Sequence, residues 1–349
     1  MDHPEEKHQR RVRYKGTHPK NYKEKYKELA PDKYTDDVVK IIQKGNTPAG
    51  MHRSICVKEI LEILAIQSGE QGFDATLGYG GHTLEMLKVL NHTGHVYATD
   101  VDPIELPKTT ERLRSHGFDE KYFTPVQSNF CKIDEVVKKS GPFNFILADL
   151  GVSSMQIDNP DRGFSYKTEG PLDLRLNPNV GISAAERLQD ITKDELIGML
   201  IENADEPHAD IIARAIIAEI KKGRAIQATT HLKQVIADAL QFLPEKTRKD
   251  DIKKTCQRCF QALRIDVNNE YEVLFEFLEK LPDALASKGR VAILTFHSGE
   301  DRLVKKSFKH FLKEGIYSDI ASEPIRPSLD ECGTNSRARS AKLRWAIKA

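Results

Sequence analysis

No stretch of the 349-residue chain approaches the roughly 20 consecutive apolar residues that cross a bilayer, so a membrane-spanning protein is not expected. Cysteine is scarce. Five of them, scattered over this length, build no disulfide framework and fit a reducing compartment, the cytoplasm. The start, Met1 to Arg13, is too polar for a secretory signal, and Asp2, Glu5 and Glu6 argue against an organelle transit peptide. Internal repeats and low-complexity tracts are lacking. Net charge is almost absent at +1, which neither supports nor excludes a nucleic-acid partner. What is present, 39% apolar and 30% charged residues, describes a soluble globular chain with material for one large domain and a smaller one.

The distribution of charge says more than its sum. Met1–Gly50 carries twelve Lys/Arg against eight Asp/Glu, and Asn335–Ala349 carries Arg337, Arg339, Lys342, Arg344 and Lys348 with no acid. Basic ends can engage phosphate; solvated, partly mobile termini are the plain alternative. Residues 1–50 show little periodicity apart from Val38–Ile42 and close on the breaker run Gly45–Gly50, which marks a basic N-terminal extension.

Beyond it the pattern becomes α/β. Val57, Ile60, Leu61 and Leu64 recur at helical spacing. Strands are predicted at Gly72–Thr76, His95–Asp100, Tyr122–Val126 and Phe143–Asp149, with helices through Leu84–Leu90 and Glu105–Ser115 between them. This alternation predicts parallel βαβ units and a doubly wound, Rossmann-like sheet. From about Ser183 to Leu263 only helical patterns occur, at Ala184–Leu188, Lys193–Glu202, Ile211–Lys221 and Leu232–Leu240. Strand signals return at Arg290–Phe296, ahead of a helix through Leu303, Phe308 and Phe311. The expected organisation is an extension over 1–50, a first part of the α/β domain over 51–180, an inserted helical subdomain over 181–263, and a second part over 264–349.

Ligands of open parallel sheets bind at the carboxyl ends of strands near the switch in strand order. Three motifs sit at such ends. The first is the turn Asp74-Ala-Thr-Leu-Gly78-Tyr-Gly80-Gly81-His82-Thr83, where glycines admit a ligand to the backbone and a helix N-terminus follows. A dinucleotide fingerprint needs a third glycine where Thr83 stands, so a pyrophosphate is disfavoured. The second is Asp100, 20 residues after Gly80 (100 − 80), which can accept from both hydroxyls of a ribose. Its alternative, shared with Asp102, is to cap the helix that begins near Pro103. The third is Ser128-Asn129-Phe130, at a place that commonly flanks adenine; Phe130 reads equally as core.

The fourth strand runs into Asp149-Leu-Gly-Val-Ser153-Ser-Met-Gln156-Ile-Asp158, then Arg162-Gly-Phe164-Ser and Gly170-Pro-Leu-Asp-Leu-Arg175. Further blocks are Phe260-Gln-Ala-Leu-Arg264-Ile-Asp-Val-Asn268, Phe296-His297-Ser-Gly299-Glu300-Asp301-Arg302, and Asn335-Ser-Arg337-Ala-Arg339-Ser-Ala-Lys342-Leu-Arg344. Together with Asp74–Thr83 these resemble the bacterial 16S ribosomal RNA cytosine-N4 methyltransferase family (RsmH, also called MraW), from about His52 to the end. The resemblance implies a class I methyltransferase sheet with an inserted helical domain, S-adenosyl-L-methionine as cofactor, and ribosomal RNA of the small subunit as partner. It implies that Gly80, Gly81 and His82 touch the methionine part of the cofactor, Asp100 the ribose and Phe130 the adenine, with Asp149 and Gln156 completing the pocket. This chain departs from the family at Gly299, where leucine is usual, at Ser336, where proline is usual, and at Asn203–His208, where a Gly-Glu-Glu run is common. The first 50 residues have no counterpart in the usual members. A paralogue methylating another RNA site or amine therefore stays open, as does a catalytically silent RNA- or ribosome-binding factor.

A cytosine amine is a poor nucleophile because its lone pair is conjugated into the ring, so positioning and a hydrogen-bond acceptor are what it requires. Asp149 or the Leu150 carbonyl is the expected acceptor. Val152 stands where related amino-methyltransferases carry an aromatic, which leaves Phe164 and Tyr166 to stack an extruded base, or to pack as core. His297, after the last strand signal, is either a helix-start residue or a substrate contact at the pocket mouth. No G-x-S-x-G turn supports a hydrolase. Arg175, Arg264, Arg337, Arg339, Lys342 and Arg344 are expected phosphate contacts along an RNA track. Cys256-x-x-Cys259 lacks a second ligand pair at zinc spacing, so no metal is expected. No oligomeric state is implied.

Overall fold

Residues 54–349 are described by a computed structural model; the extension expected over 1–50 lies outside them. Seven strands, β1 (Gln71–Asp74), β2 (His95–Asp100), β3 (Phe123–Gln127), β4 (Phe143–Asp149), β5 (Leu285–Thr295), β6 (Tyr317–Ile320) and β7 (Lys342–Lys348), form one sheet. Their order is β3-β2-β1-β4-β5-β7-β6. The first five are parallel, and β7 runs antiparallel to both β5 and β6. This is the expected doubly wound α/β sheet, closed by an antiparallel pair from the last residues.

Central strands buried on both faces read as unbroken apolar runs, and β4 shows why. Phe145 and Leu147 join the cluster on one face with Ala292 and Leu294 of β5. Ile146 and Ala148 join the other with Val291 and Ile293. The first face is covered by α1 (Val57–Leu64), α2 (Gly81–Leu90) and α3 (Glu105–Ser115). The second is covered by α4 (Ile133–Ser140), α11 (Glu270–Ala284) and α12 (Ser298–Lys313).

Between β4 and α11 the chain makes no named strand. It forms the short α5 (Ser154–Asp158), then α6 (Ala184–Asp190), α7 (Lys193–Ala204), α8 (Ala209–Lys221), α9 (Thr229–Ala239) and α10 (Glu245–Asn268). A third cluster of buried residues, from Phe164 to Leu263, holds this layer together. Serine and threonine start α6 and α7 through reciprocal capping boxes, Ser183 with Glu186 and Thr192 with Glu195. The two cysteines of the Cys-x-x-Cys pair are buried on α10. One last short helix, α13 (Leu329–Thr334), precedes β7. Among the described residues no helix is long and apolar enough to cross a membrane.

β2, β4 and α3 occupy the residues predicted for them, and β1 and β3 shift by a residue or two. β5 begins five residues earlier than Arg290, at Leu285 (290 − 285).

Candidate active site

Strand order reverses between β1 and β4, so a crevice opens beyond their carboxyl ends. The turn after β1 is built to be tight. Asp74 accepts from the Thr76 amide at 3.0 Å and from the Thr83 hydroxyl at 2.6 Å, tying the start of the turn to the start of α2. Burial nevertheless raises the Asp74 carboxyl. Gly78 and Gly80 take φ of +48° and +75°, the left-handed region that favours glycine. A Cβ on Gly80 would also lie 2.7 Å from the Thr109 methyl of α3. The glycines let this backbone lie on α3 and face the crevice together.

Asp100 ends β2 and aims at that turn. Its Oδ2 accepts from the Gly78 amide at 2.7 Å and its Oδ1 from the Asp102 amide at 2.8 Å. Burial pushes the Asp100 carboxyl up to about 6, against the pull of these two bonds. The capping role falls to Asp102, which accepts from the amides of Ile104 and Glu105 at 2.9 and 3.4 Å. Its other oxygen receives Gln156 Nε2 at 2.8 Å and Arg162 Nη1 at 2.6 Å, and the carboxylate is fully buried. Arg162 Nη2 donates to the carbonyls of Arg175 and Leu176. The segments after β2 and β4 are thus joined at one buried ion pair. Gln156 Oε1 accepts from the Ser153 amide at 2.9 Å, so both ends of its amide are engaged inside the protein.

His82 and Asp149 face each other across the crevice. His82 Nε2 lies 2.9 Å from the Ile55 carbonyl, an atom that can only accept, so the proton sits on Nε2. Nδ1 is thereby left 3.4 Å from Asp149 Oδ2. Burial pushes the Asp149 carboxyl up to about 6; His82 opposes the rise, and Asp74 and Glu300 add to it. Asp149 Oδ1 is buried and has no hydrogen-bond partner among the described residues. Phe130 stands half-buried beyond β3, edge-on to Phe277 of α11 at 5.1 Å.

Beside Asp149, at the end of β5, lies a second charged group. His297 Nε2 approaches Glu300 Oε1 at 3.1 Å, and Arg264 forks onto Glu270 with two bonds of 2.8 Å. Burial alone would raise Glu300; His297, Arg264 and the Phe296 amide outweigh it and hold the carboxyl low. Glu270, His297 and Glu300 bring ligand-type atoms within 4.8 Å of one another, with Arg264 already seated on Glu270. His297 also precedes α12, so it stands where a helix-start residue would, yet neither ring nitrogen makes a well-formed hydrogen bond. A residue the sequence did not single out completes this group. A side chain at Gly299 would collide with the Tyr271 phenol, which occupies the space that leucine would take. The departure at position 299 was the signal for it.

The expected phosphate contacts are mostly spoken for. Arg344 is buried and bonds Asp301 through Nε at 2.6 Å, with Lys342 on the same carboxylate at 2.9 Å. Arg175 grips Asp173, Arg337 bonds Asp158 at 3.0 Å, and Arg264 is committed as above. Arg339 is exposed and takes part in no ion pair among the described residues. Phe164 is buried in the helical cluster near Arg162, and Tyr166 packs edge-on to Phe260 at 5.7 Å.

A model of the MraW methylase family matches residues 49–349. Over all 349 residues the chain is 70% identical to a protein of Alkaliphilus metalliredigens named ribosomal RNA small subunit methyltransferase H 2, covering 100% of both. It is 66% identical over 342 residues, 98% of this chain and 93% of the other, to a Lachnoclostridium phytofermentans protein named ribosomal RNA small subunit methyltransferase H 1. A Koribacter versatilis protein named ribosomal RNA small subunit methyltransferase H is 36% identical over 301 residues, 85% of this chain and 94% of that one. The N-terminal extension is therefore shared with the Alkaliphilus relative.

Proposed function

The chain belongs to the MraW methylase family, and on that premise we propose that it methylates the exocyclic N4 amine of a cytosine in small-subunit ribosomal RNA. The cofactor is S-adenosyl-L-methionine, which supplies an activated sulfonium methyl. The residues at the crevice fit it. Glycines at 78 and 80 leave the backbone bare, and each Asp100 oxygen keeps acceptor capacity for a ribose hydroxyl beyond its one backbone bond. Gly80, Gly81 and His82 line the methionine end in this reading, Phe130 flanks the adenine, and Gln156 shapes the pocket through Asp102.

The observation that carries the reading is Asp149 Oδ1, a buried acceptor left open beside a half-exposed pocket edge. Such an atom is costly unless a donor arrives. The amine of a cytosine is that donor. Accepting its hydrogen bond returns lone-pair character to the nitrogen, and the same oxygen takes the proton the amine loses. The other oxygen lies 3.4 Å from His82 Nδ1. His297, whose ring nitrogens lack good partners, contacts the base from the β5 side.

Residues 51–180 and 264–349 form the two parts of the cofactor-binding domain, with 181–263 as its inserted helical subdomain, acting in the cytoplasm where small subunits are made. The test is mass spectrometry of small-subunit ribosomal RNA incubated with the pure chain and labelled S-adenosyl-L-methionine. Label on an N4-methylcytosine supports the proposal. Label on another nucleotide makes the chain a paralogue, and cofactor binding without transfer to RNA makes it a binding factor.

A further inference from the structure

Five cations of α12 stand outside the ion pairs of the described residues. Arg302, Lys306, Lys309 and Lys313 are exposed, Lys305 is half-exposed, and none takes part in an ion pair among the described residues. Arg302, Lys306, Lys309 and Lys313 follow the i, i+4, i+7, i+11 spacing of a single helix stripe. The opposite side, Val304, Phe308 and Phe311, packs on the sheet.

Stability does not account for this arrangement. Like charges at i, i+4 cost roughly 0.2–0.5 kcal/mol a pair, and Arg302–Lys306, Lys305–Lys309 and Lys309–Lys313 are three such pairs. The helix dipole favours Lys313 at the C-terminal turn but disfavours Arg302 near the N-terminal one. Nor do the helix's own acids cancel the stripe. Asp301 is taken by Arg344 and Lys342, and Glu300 is buried against His297. The neighbouring α11 has the opposite character, with Glu272, Glu279 and Asp283 exposed.

We infer that the α12 stripe is a docking surface for the phosphodiester backbone of the ribosomal RNA substrate. This rests on the function proposed above. Position supports it: α12 starts directly after His297, beside Asp149, and its 16 residues carry the stripe about 24 Å away from the site. Charge supports it as well, since of the arginines expected to form an RNA track all but Arg339 are bound to internal carboxylates. The acidic α11 bounds the track on one side.

The experiment uses the full chain with Lys306, Lys309 and Lys313 changed together to Gln, and a control with Lys246, Lys249 and Lys253, exposed on α10, changed likewise. Binding to small-subunit ribosomal RNA is measured against salt, independently of methyl transfer. The α12 variant should bind about tenfold or more weakly near 0.15 M salt, with a salt slope shallower by about two to three. Cofactor affinity should be unchanged, and so should turnover at saturating RNA. An unchanged slope, or an equal loss in the control, overturns the stripe and leaves the methyltransferase reading standing. A wild-type chain that binds no ribosomal RNA overturns both. Binding to anionic phospholipid vesicles that depends on the same three lysines, with RNA binding unaffected, reassigns the surface.

Discussion

Two sets of charged residues in this molecule, the acids that end two central strands and the cations of the last motif block, do different work. The acids at the ends of β2 and β4 keep capacity in reserve: Asp100 and Asp149 are pushed up to about 6, and Asp149 holds an oxygen without a partner. Two arginines after residue 335 are committed to internal carboxylates, although each keeps one buried Nη1 without a partner among the described residues. Arg344 and Lys342 close on Asp301, and Arg337 on Asp158. An acceptor left open at the crevice suits an incoming donor, whereas a guanidinium closed on an internal carboxylate is committed to the fold. Residue type does not distinguish the two; the ion pairs formed in the fold do.

The sharpest test of this contrast is Asp149→Ala. Turnover should fall roughly 10³-fold or more while the chain stays folded, since the lost oxygen had no internal partner. Near-normal turnover would break the comparison on the cofactor side. Arg344→Ala should behave in the opposite manner. It leaves the buried Asp301 with Lys342 as its one remaining cation, so unfolding free energy should drop by about 1–3 kcal/mol, read by denaturant titration. Arg339→Ala, at an exposed position, should change it by no more than about 0.5 kcal/mol. Equal losses from the two would erase the distinction.

Gly80→Ala comes next in size. It forces alanine into φ +75° and against the Thr109 methyl, a strain of about 1–2 kcal/mol. Affinity for labelled S-adenosyl-L-methionine should fall about tenfold, with a smaller fall in melting temperature. The subtlest effect is pH dependence. In the folded chain Asp149 binds its proton up to about pH 6, above the ordinary carboxylate range, so its contribution to stability is whole below about pH 4 and is lost as pH rises through 6. Melting curves of the ligand-free wild type and Asp149→Asn should diverge across that window, the variant gaining, and run parallel outside it. A constant difference across pH would show that Asp149 ionises as easily folded as unfolded.

Much of the frame was legible because it is local. β2, β4 and α3 fall on the residues predicted, since an apolar run or a helical period is written in consecutive positions. α10 was not read as one helix: its first half, Glu245–Lys254, is too charged to show a periodic face. At the site, residue types were readable and commitments were not. Arg344 finds Asp301 across 43 positions, and Arg162 finds Asp102 across 60, pairings that only the fold creates. Spacing did not show which of Asp100 and Asp102 would hold the Gly78 turn and which the start of α3; their backbone partners do. Tyr271 was invisible until Gly299 was seen to leave room for it.

The buried Asp102 carboxylate carries a consequence of its own. The Asp102 amide steadies Asp100, and the carboxylate, through Arg162 and Gln156, anchors the segment that leads to Arg175. Two segments, after β2 and after β4, that share one buried residue are energetically linked, and linkage is reciprocal. By whatever factor the methyl donor tightens the grip on RNA, RNA must tighten the grip on the donor.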